Sequence, residues 1–374
     1  MRAALLVSLL FLSQSCDKPT ASRPFKAKVV VSTEDGYRWQ ELEFKYLQDP
    51  DRMRGDIGDI VGGVVFNIIF DTDIVKEDPE SLYSKKGGDV KTDYLLEDGV
   101  ILAQNMDTLA MFSLYKAFEI CVDFWKDHFG LSLEDQKPSR LLYDPQYFFE
   151  VEGTRVSAVR KRNASYLLQT GDFMINKTSS TEHVPLKVNL AVLAHEYGHK
   201  IFNIQFARRD VTFYETKNKR AETQLLGINE GWADFASWLL TQRAHEFEAS
   251  IPALGKERSL PVSWTNSQLI KEGGAICGGQ YYCKGSLLAS SLYELSQMGT
   301  WDAMTVGKHV FDALLTFRDD WEAHKNEETF DFYYFLIRIV NEFEEGERAG
   351  VCTVFKKWFD DPFTLESMKL TCPD

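Results

Sequence analysis

Residues 193–200 read LAHEYGHK, and the fold and chemistry of the chain turn on this octet. If a helix runs over 186–207, Leu190, Leu193, Tyr197, Ile201 and Ile204 fall on one apolar stripe. His195 and His199 then share the roughly opposite face, one turn apart. Ala191, Ala194 and Gly198 beside them are all small. Two imidazoles so placed can grip a single metal ion. Glu196 cannot easily reach that ion, but it can reach a water bound to it. With seven histidines in the chain, a chance H-E-x-x-H is expected in about one such sequence in a hundred. The pattern therefore outweighs an ordinary helix that carries two histidines by accident.

An ion held this way needs a third ligand. Residues 227–235, GINEGWADF, supply a candidate. Read as a helix, Leu225, Ile228, Trp232, Phe235 and Leu239 form its apolar stripe. Glu230 and Asp234 lie on the other side, beside Gly227, Ala233 and Ser237. Lys and Arg are absent from this stretch. Acids framed by small residues predict a face pressed closely against another element. The alternative is a solvated acidic face.

HEYGH followed by NEGWAD resembles the glutamate zincins, most closely the thermolysin-like peptidases. Their pattern is H-E-x-x-H, then N-E-x-x-[AS]-D some tens of residues on. The resemblance implies zinc held by His195, His199 and Glu230, with Glu196 as general base. It implies that Asn229 and Asp234 support those ligands, Asp234 by holding the imidazole of His195. NASYLL, from Asn163, is similar to the family's substrate-binding edge strand, so Asn163 and Ala164 are expected to contact an extended peptide. The segments at 113–130 and 284–300 resemble family helices of the two lobes, and about 105–345 looks alignable.

The sequence departs from the family in three places. The oxyanion-stabilising histidine is replaced in register by Tyr282, with Tyr281 as the nearby alternative; a phenol can donate the same hydrogen bond. The arginine that often polarises the scissile carbonyl has no evident counterpart. Ala191 stands where the family's calcium site has an aspartate, which speaks against calcium.

The order along the chain is β-rich and then helical, which predicts an α+β, two-lobed zincin fold. The β-rich N-terminal lobe is expected over 26–185. The zinc-binding helices and the helical C-terminal lobe are expected over 186–374, with the active-site helix between the lobes. DIVGGVVFNIIF reads as β-branched strand, and its glycines form no G-x-G-x-x-G. A helix is expected from Asp107 to Phe129, with apolar residues at three- and four-residue steps.

The chain has 374 residues, is 44% hydrophobic and carries a net charge of −14. That balance argues against nucleic acid, or an anionic membrane surface, as the main partner. MRAALLVSLLFLSQSC has the proportions of a signal peptide, and its apolar run is too short to span a bilayer. It resembles a bacterial lipoprotein signal with Cys16 as the lipid-bearing first mature residue, although Ser13 stands where a leucine is usual. Residues 17–25 then read as a tether. The expected location is extracytoplasmic, with the membrane reached only through the lipid anchor; a secreted soluble protein is the alternative. Export permits disulfides, and Cys277–Cys283 and Cys352–Cys372 are the nearest pairs, which leaves Cys121 free and buried. The alternative is that all five are free thiols.

The resemblance implies a zinc endopeptidase acting on polypeptides. No signature of terminus capture suggests an exopeptidase, and no G-x-S-x-G suggests a serine hydrolase. The contrasting reading is a zincin whose catalysis has decayed and which binds peptides outside the cytoplasm.

Overall fold

The computed structural model describes residues 25–33, 36–67, 78–151, 154–158, 163–177, 184–244, 250, 258–272, 280–328, 330–369 and 371–372. The signal-like run with Cys16, tether residues 17–24, and Cys277 lie outside them.

The strands are β1 (Phe25–Thr33), β2 (Gly36–Phe44), β3 (Leu47–Asp49), β4 (Arg54–Gly55), β5 (Gly58–Gly62), β6 (Val65–Asn67), β7 (Tyr83–Lys85), β8 (Gly88–Asp89), β9 (Tyr94–Glu97) and β10 (Val100–Ala103). After helix α1 (Met106–Phe129) and the short α2 (Leu133–Gln136) come β11 (Ser139–Tyr143), β12 (Gln146–Val151), β13 (Thr154–Ala158), β14 (Ala164–Leu167) and β15 (Asp172–Ile175). The rest is helical: α3 (Leu190–Ile201), α4 (Lys219–Thr241), α5 (Asn266–Glu272), α6 (Gln280–Gln297), α7 (Ala303–His324), α8 (Tyr333–Glu342), α9 (Arg348–Trp358) and α10 (Pro362–Met368). The architecture is α+β, with a β-rich N-terminal region and a helical C-terminal region.

The strands form three sheets. One has the order β2-β1-β10-β9. In β1, Phe25, Ala27 and Val29 are buried and Lys26 and Lys28 exposed, the alternation of a sheet with one covered face. The cover is α1, whose Ser113 hydroxyl accepts from Val30 N at 3.0 Å. The second sheet runs β14-β15-β11-β5-β4-β3, with β8 also on β5. Its strand β11 is parallel to β5 and β15, while β14 is antiparallel to β15 and forms the edge. The third runs β13-β12-β6-β7. The described part of the apolar run, 59–67, therefore serves two sheets, and 68–70 lie outside the described residues. Gly63, at φ +66°, takes a left-handed turn that side chains resist, and the chain passes there from β5 to β6.

The expected helix over 186–207 is built in three pieces. A 3₁₀ turn, Leu186–Val188, leads to Asn189, whose side chain caps α3 by accepting from Ala191 N at 3.0 Å. Beyond Ile201 the chain widens into a π turn, Phe202–Phe206, closed by Ala207 N to Phe202 O at 3.1 Å. Helix α4 is longer than its motif and begins at the Asn218 cap.

Helix α3 packs on β14 and α1 on one side and on α4 on the other; α4 in turn packs on α6. The contacts are backbone-close. A Cβ on Gly198 would lie 2.8 Å from Ala233 Cα, and one on Gly231 would lie 2.7 Å from Gly285 O. One continuous buried apolar cluster joins both regions, from Phe25 to Cys372. Trp125 of α1 meets Trp232 of α4 with ring centres 5.6 Å apart. Cys352 and Cys372 form a disulfide, Cys283 is disulfide-bonded, and Cys121 is a buried free thiol. Among the described residues no helix is long and apolar enough to cross a membrane.

Candidate metal centre

The face of α3 away from its stripe meets the acidic face of α4. His195 Nε2 and His199 Nε2 lie 3.0 Å apart. Glu230 Oε2 is 3.6 Å from the first and Glu230 Oε1 is 3.7 Å from the second. Among the described residues this is the group of His, Cys, Asp and Glu side chains that could hold a metal ion.

The neighbours decide what these atoms offer. His195 Nδ1 is 3.0 Å from Asp234 Oδ1, and His199 Nδ1 is 3.0 Å from Asn229 Oδ1. Both oxygens accept, so both Nδ1 atoms carry hydrogen and both Nε2 atoms present lone pairs. Two lone pairs and a carboxylate edge then converge on one point, an arrangement that could hold a shared cation. Tetrahedral zinc with ligands at ~2.0–2.2 Å places them ~3.3–3.6 Å apart; the two Nε2 atoms are 3.0 Å apart, and a different Glu230 oxygen lies 3.6 or 3.7 Å from each, near that range. His, His and carboxylate is also the donor set of catalytic zinc sites. The residues present fit the metal.

Burial and Arg258 disfavour protonated His195, but Asp234 and Glu196 outweigh them and leave its pKa raised. Burial pushes the Asp234 carboxyl up; Arg258 and His195 together hold it below the usual carboxylate range.

Glu196 sits beside the ligands, 7% exposed, and its Oε2 accepts from Tyr166 N at 2.7 Å. That bond ties it to edge strand β14. Asn163, just before β14, accepts from Asn176 N at 3.0 Å and so faces β15. Backbone groups alternate along a strand, so those of Ala164 and Tyr166 face the open edge, toward α3. The Asn163 side chain itself bonds Ser165 Oγ at 3.2 Å. On the far face of α3, Tyr197 donates to Gln136 Oε1 at 2.6 Å and Lys200 donates to Lys137 O at 2.8 Å, fixing the helix from behind.

Tyr281 and Tyr282 occupy the first turn of α6, not a loop before it, and their rings are 4.2 Å apart. The Tyr282 ring stacks on the Arg258 guanidinium at 5.3 Å. Burial and a hydrogen bond to Tyr281 raise its hydroxyl pKa.

Arg258 is the residue that sequence reasoning missed. Its Nη2 donates to Glu230 Oε2 at 2.9 Å, and its Nε lies 3.2 and 3.0 Å from the two Asp234 oxygens. GKERSL carries no periodic signal, so nothing local marks this arginine as buried. The usable signal was indirect: two acids on a packed face with no basic residue nearby require a cation from elsewhere.

No family model matches the chain, and no curated protein sequence does so. Among solved structures it is similar to the precursor of protealysin, a metalloproteinase from Serratia proteamaculans. That likeness has a TM-score of 0.46 and 12% identity, covering 80% of this chain and 88% of that one. At this level it carries no functional argument. Fold and site together define an α+β protein with a candidate His-His-Glu metal centre.

Proposed function

We propose that the protein is a zinc-dependent endopeptidase. The observation that carries this reading is the convergence of His195, His199 and Glu230 with Glu196 beside them. Zinc, when bound, would supply Lewis acidity toward the scissile carbonyl and toward water. Glu196 is placed to take a proton from the attacking water and to return it to the leaving amine. Its bond to Tyr166 N holds the carboxylate on the side of the ligands that faces β14. An extended peptide laid antiparallel on that edge would meet the outward groups of Ala164, while Asn163 borders the same edge. Asp234 and Asn229 hold the two imidazoles in the tautomer that a metal needs.

Arg258 is the candidate for the arginine that the resemblance calls for, and Tyr282, stacked on it, is the candidate donor to the oxyanion. The signal-like N-terminus supports an extracytoplasmic setting, with Cys16 as the candidate lipid anchor.

Casein or peptide cleavage by the wild type and by Glu196→Gln tests the reading. The wild type is expected to cleave, and the variant to lose at least about a hundredfold in rate while keeping its zinc. An equal lack of cleavage in both, with zinc bound, would favour a peptide-binding zincin instead.

A further inference from the structure

Arg258 is a permanent cation, 9% exposed, inside the ligand set. Its Nη2 is 2.9 Å from Glu230 Oε2 and 3.4 Å from both ring nitrogens of His195. Two of these three atoms, Glu230 Oε2 and His195 Nε2, are among those that converge on the metal position. Formally the pocket holds three carboxylates, Glu196, Glu230 and Asp234, against one guanidinium. The excess is two negative charges, which one divalent cation neutralises.

We propose that Arg258 is the site's internal counter-cation. It holds Glu230 and Asp234 in their converging positions before a metal arrives, and it lowers affinity for the metal that follows. This rests on the metal-site reading given above. Glu230 and Asp234 are neighbours at i and i+4 on α4, where like charges repel. Without Arg258, the buried Asp234 and the partly buried Glu230 would lie beside one another with only His195 to offset their charge, which is costly. Once a divalent ion is bound, Glu230 has a second partner, and the guanidinium and the ion repel across a shared carboxylate. The same side chain therefore acts with opposite sign in the two states. A residue that only fills space would act with one sign in both.

The full chain is compared with Arg258→Met, which removes the charge at similar volume, and Arg258→Lys, which keeps it. Two quantities are read: the melting temperature in chelator, and the zinc dissociation constant by competition with a chromophoric chelator. Arg258→Met is expected to melt lower than wild type without metal, yet to bind zinc about tenfold or more tightly. Its melting temperature should therefore rise further on adding zinc. Arg258→Lys, which keeps the charge, should not show the tightening of zinc binding expected of Arg258→Met. If Arg258→Met does not fold without metal, Arg258→Gln, which retains hydrogen-bond donors, should show the same tightening. Unchanged or weaker zinc binding in the uncharged variants, or an unchanged metal-free melting temperature, would overturn the proposal. A wild type that binds no zinc at all would instead remove the metal-site reading on which it rests.

Discussion

The chemistry rests on a few atoms whose neighbours set what they can do. His199 is useful to a metal only if its hydrogen sits on Nδ1, and Asn229 Oδ1 at 3.0 Å keeps it there. Asn229→Ala is therefore expected to weaken zinc binding about tenfold to a hundredfold with the fold intact, measured by chelator competition and circular dichroism. Unchanged affinity would mean that ligand orientation comes from packing alone. At this scale the sequence was informative where spacing carries the geometry. His195 and His199 at i and i+4, with Glu196 between, and Glu230 with Asp234 at the same interval, are readable because helix periodicity converts spacing into a shared face. Arg258 was not readable, since its contacts with Glu230 and Asp234 join residues 28 and 24 apart in sequence.

Helices α3, α4 and α6 hold the site by touching backbone to backbone. A Cβ on Gly285 would lie 2.8 Å from Glu230 Cβ, 2.9 Å from Gly231 N and 3.0 Å from Gly227 O. Backbone atoms cannot step aside, so α6 and α4 would have to separate and carry Glu230 with them. Gly285→Ala is expected to cost about 1–3 kcal/mol of stability and to weaken zinc binding. Gly346, with nothing within 4 Å of its added Cβ, is the control, and Gly346→Ala should stay within about 0.5 kcal/mol. Denaturant unfolding and zinc titration of the two variants check this; equal behaviour would remove the close contact from the account. The small residues beside Glu230 did announce a pressed face in the sequence, but not which helix presses. The apolar run was legible as strand over its described residues 59–67, yet its division between two sheets depends on the turn at Gly63, which periodicity does not register.

Over the whole molecule, one core spans the β-rich and helical regions, so the site sits on a shared foundation. The disulfide Cys352–Cys372 closes a loop of sequence separation 20 at the end of the helical region. Removing it as Cys352→Ala with Cys372→Ala should lower stability by about 3 kcal/mol and leave zinc affinity unchanged. Melting curves and metal titration would show this, and a loss of zinc binding would mean that the terminal helices reach the site. The order of β-rich and helical regions was visible in composition and periodicity, because strands and helices bury different patterns. Sheet topology was not, since pairings such as β1 with β10 join residues far apart in sequence. The central claim is that three side chains from α3 and α4 share one zinc ion. Its most direct test is a crystal structure of the zinc-loaded protein with anomalous data at the zinc edge. The account predicts about one zinc per chain, within bonding distance of His195 Nε2, His199 Nε2 and a Glu230 carboxylate oxygen, with its remaining position open to solvent beside Glu196. Zinc bound elsewhere, or Glu230 turned away and paired only with Arg258, would contradict it.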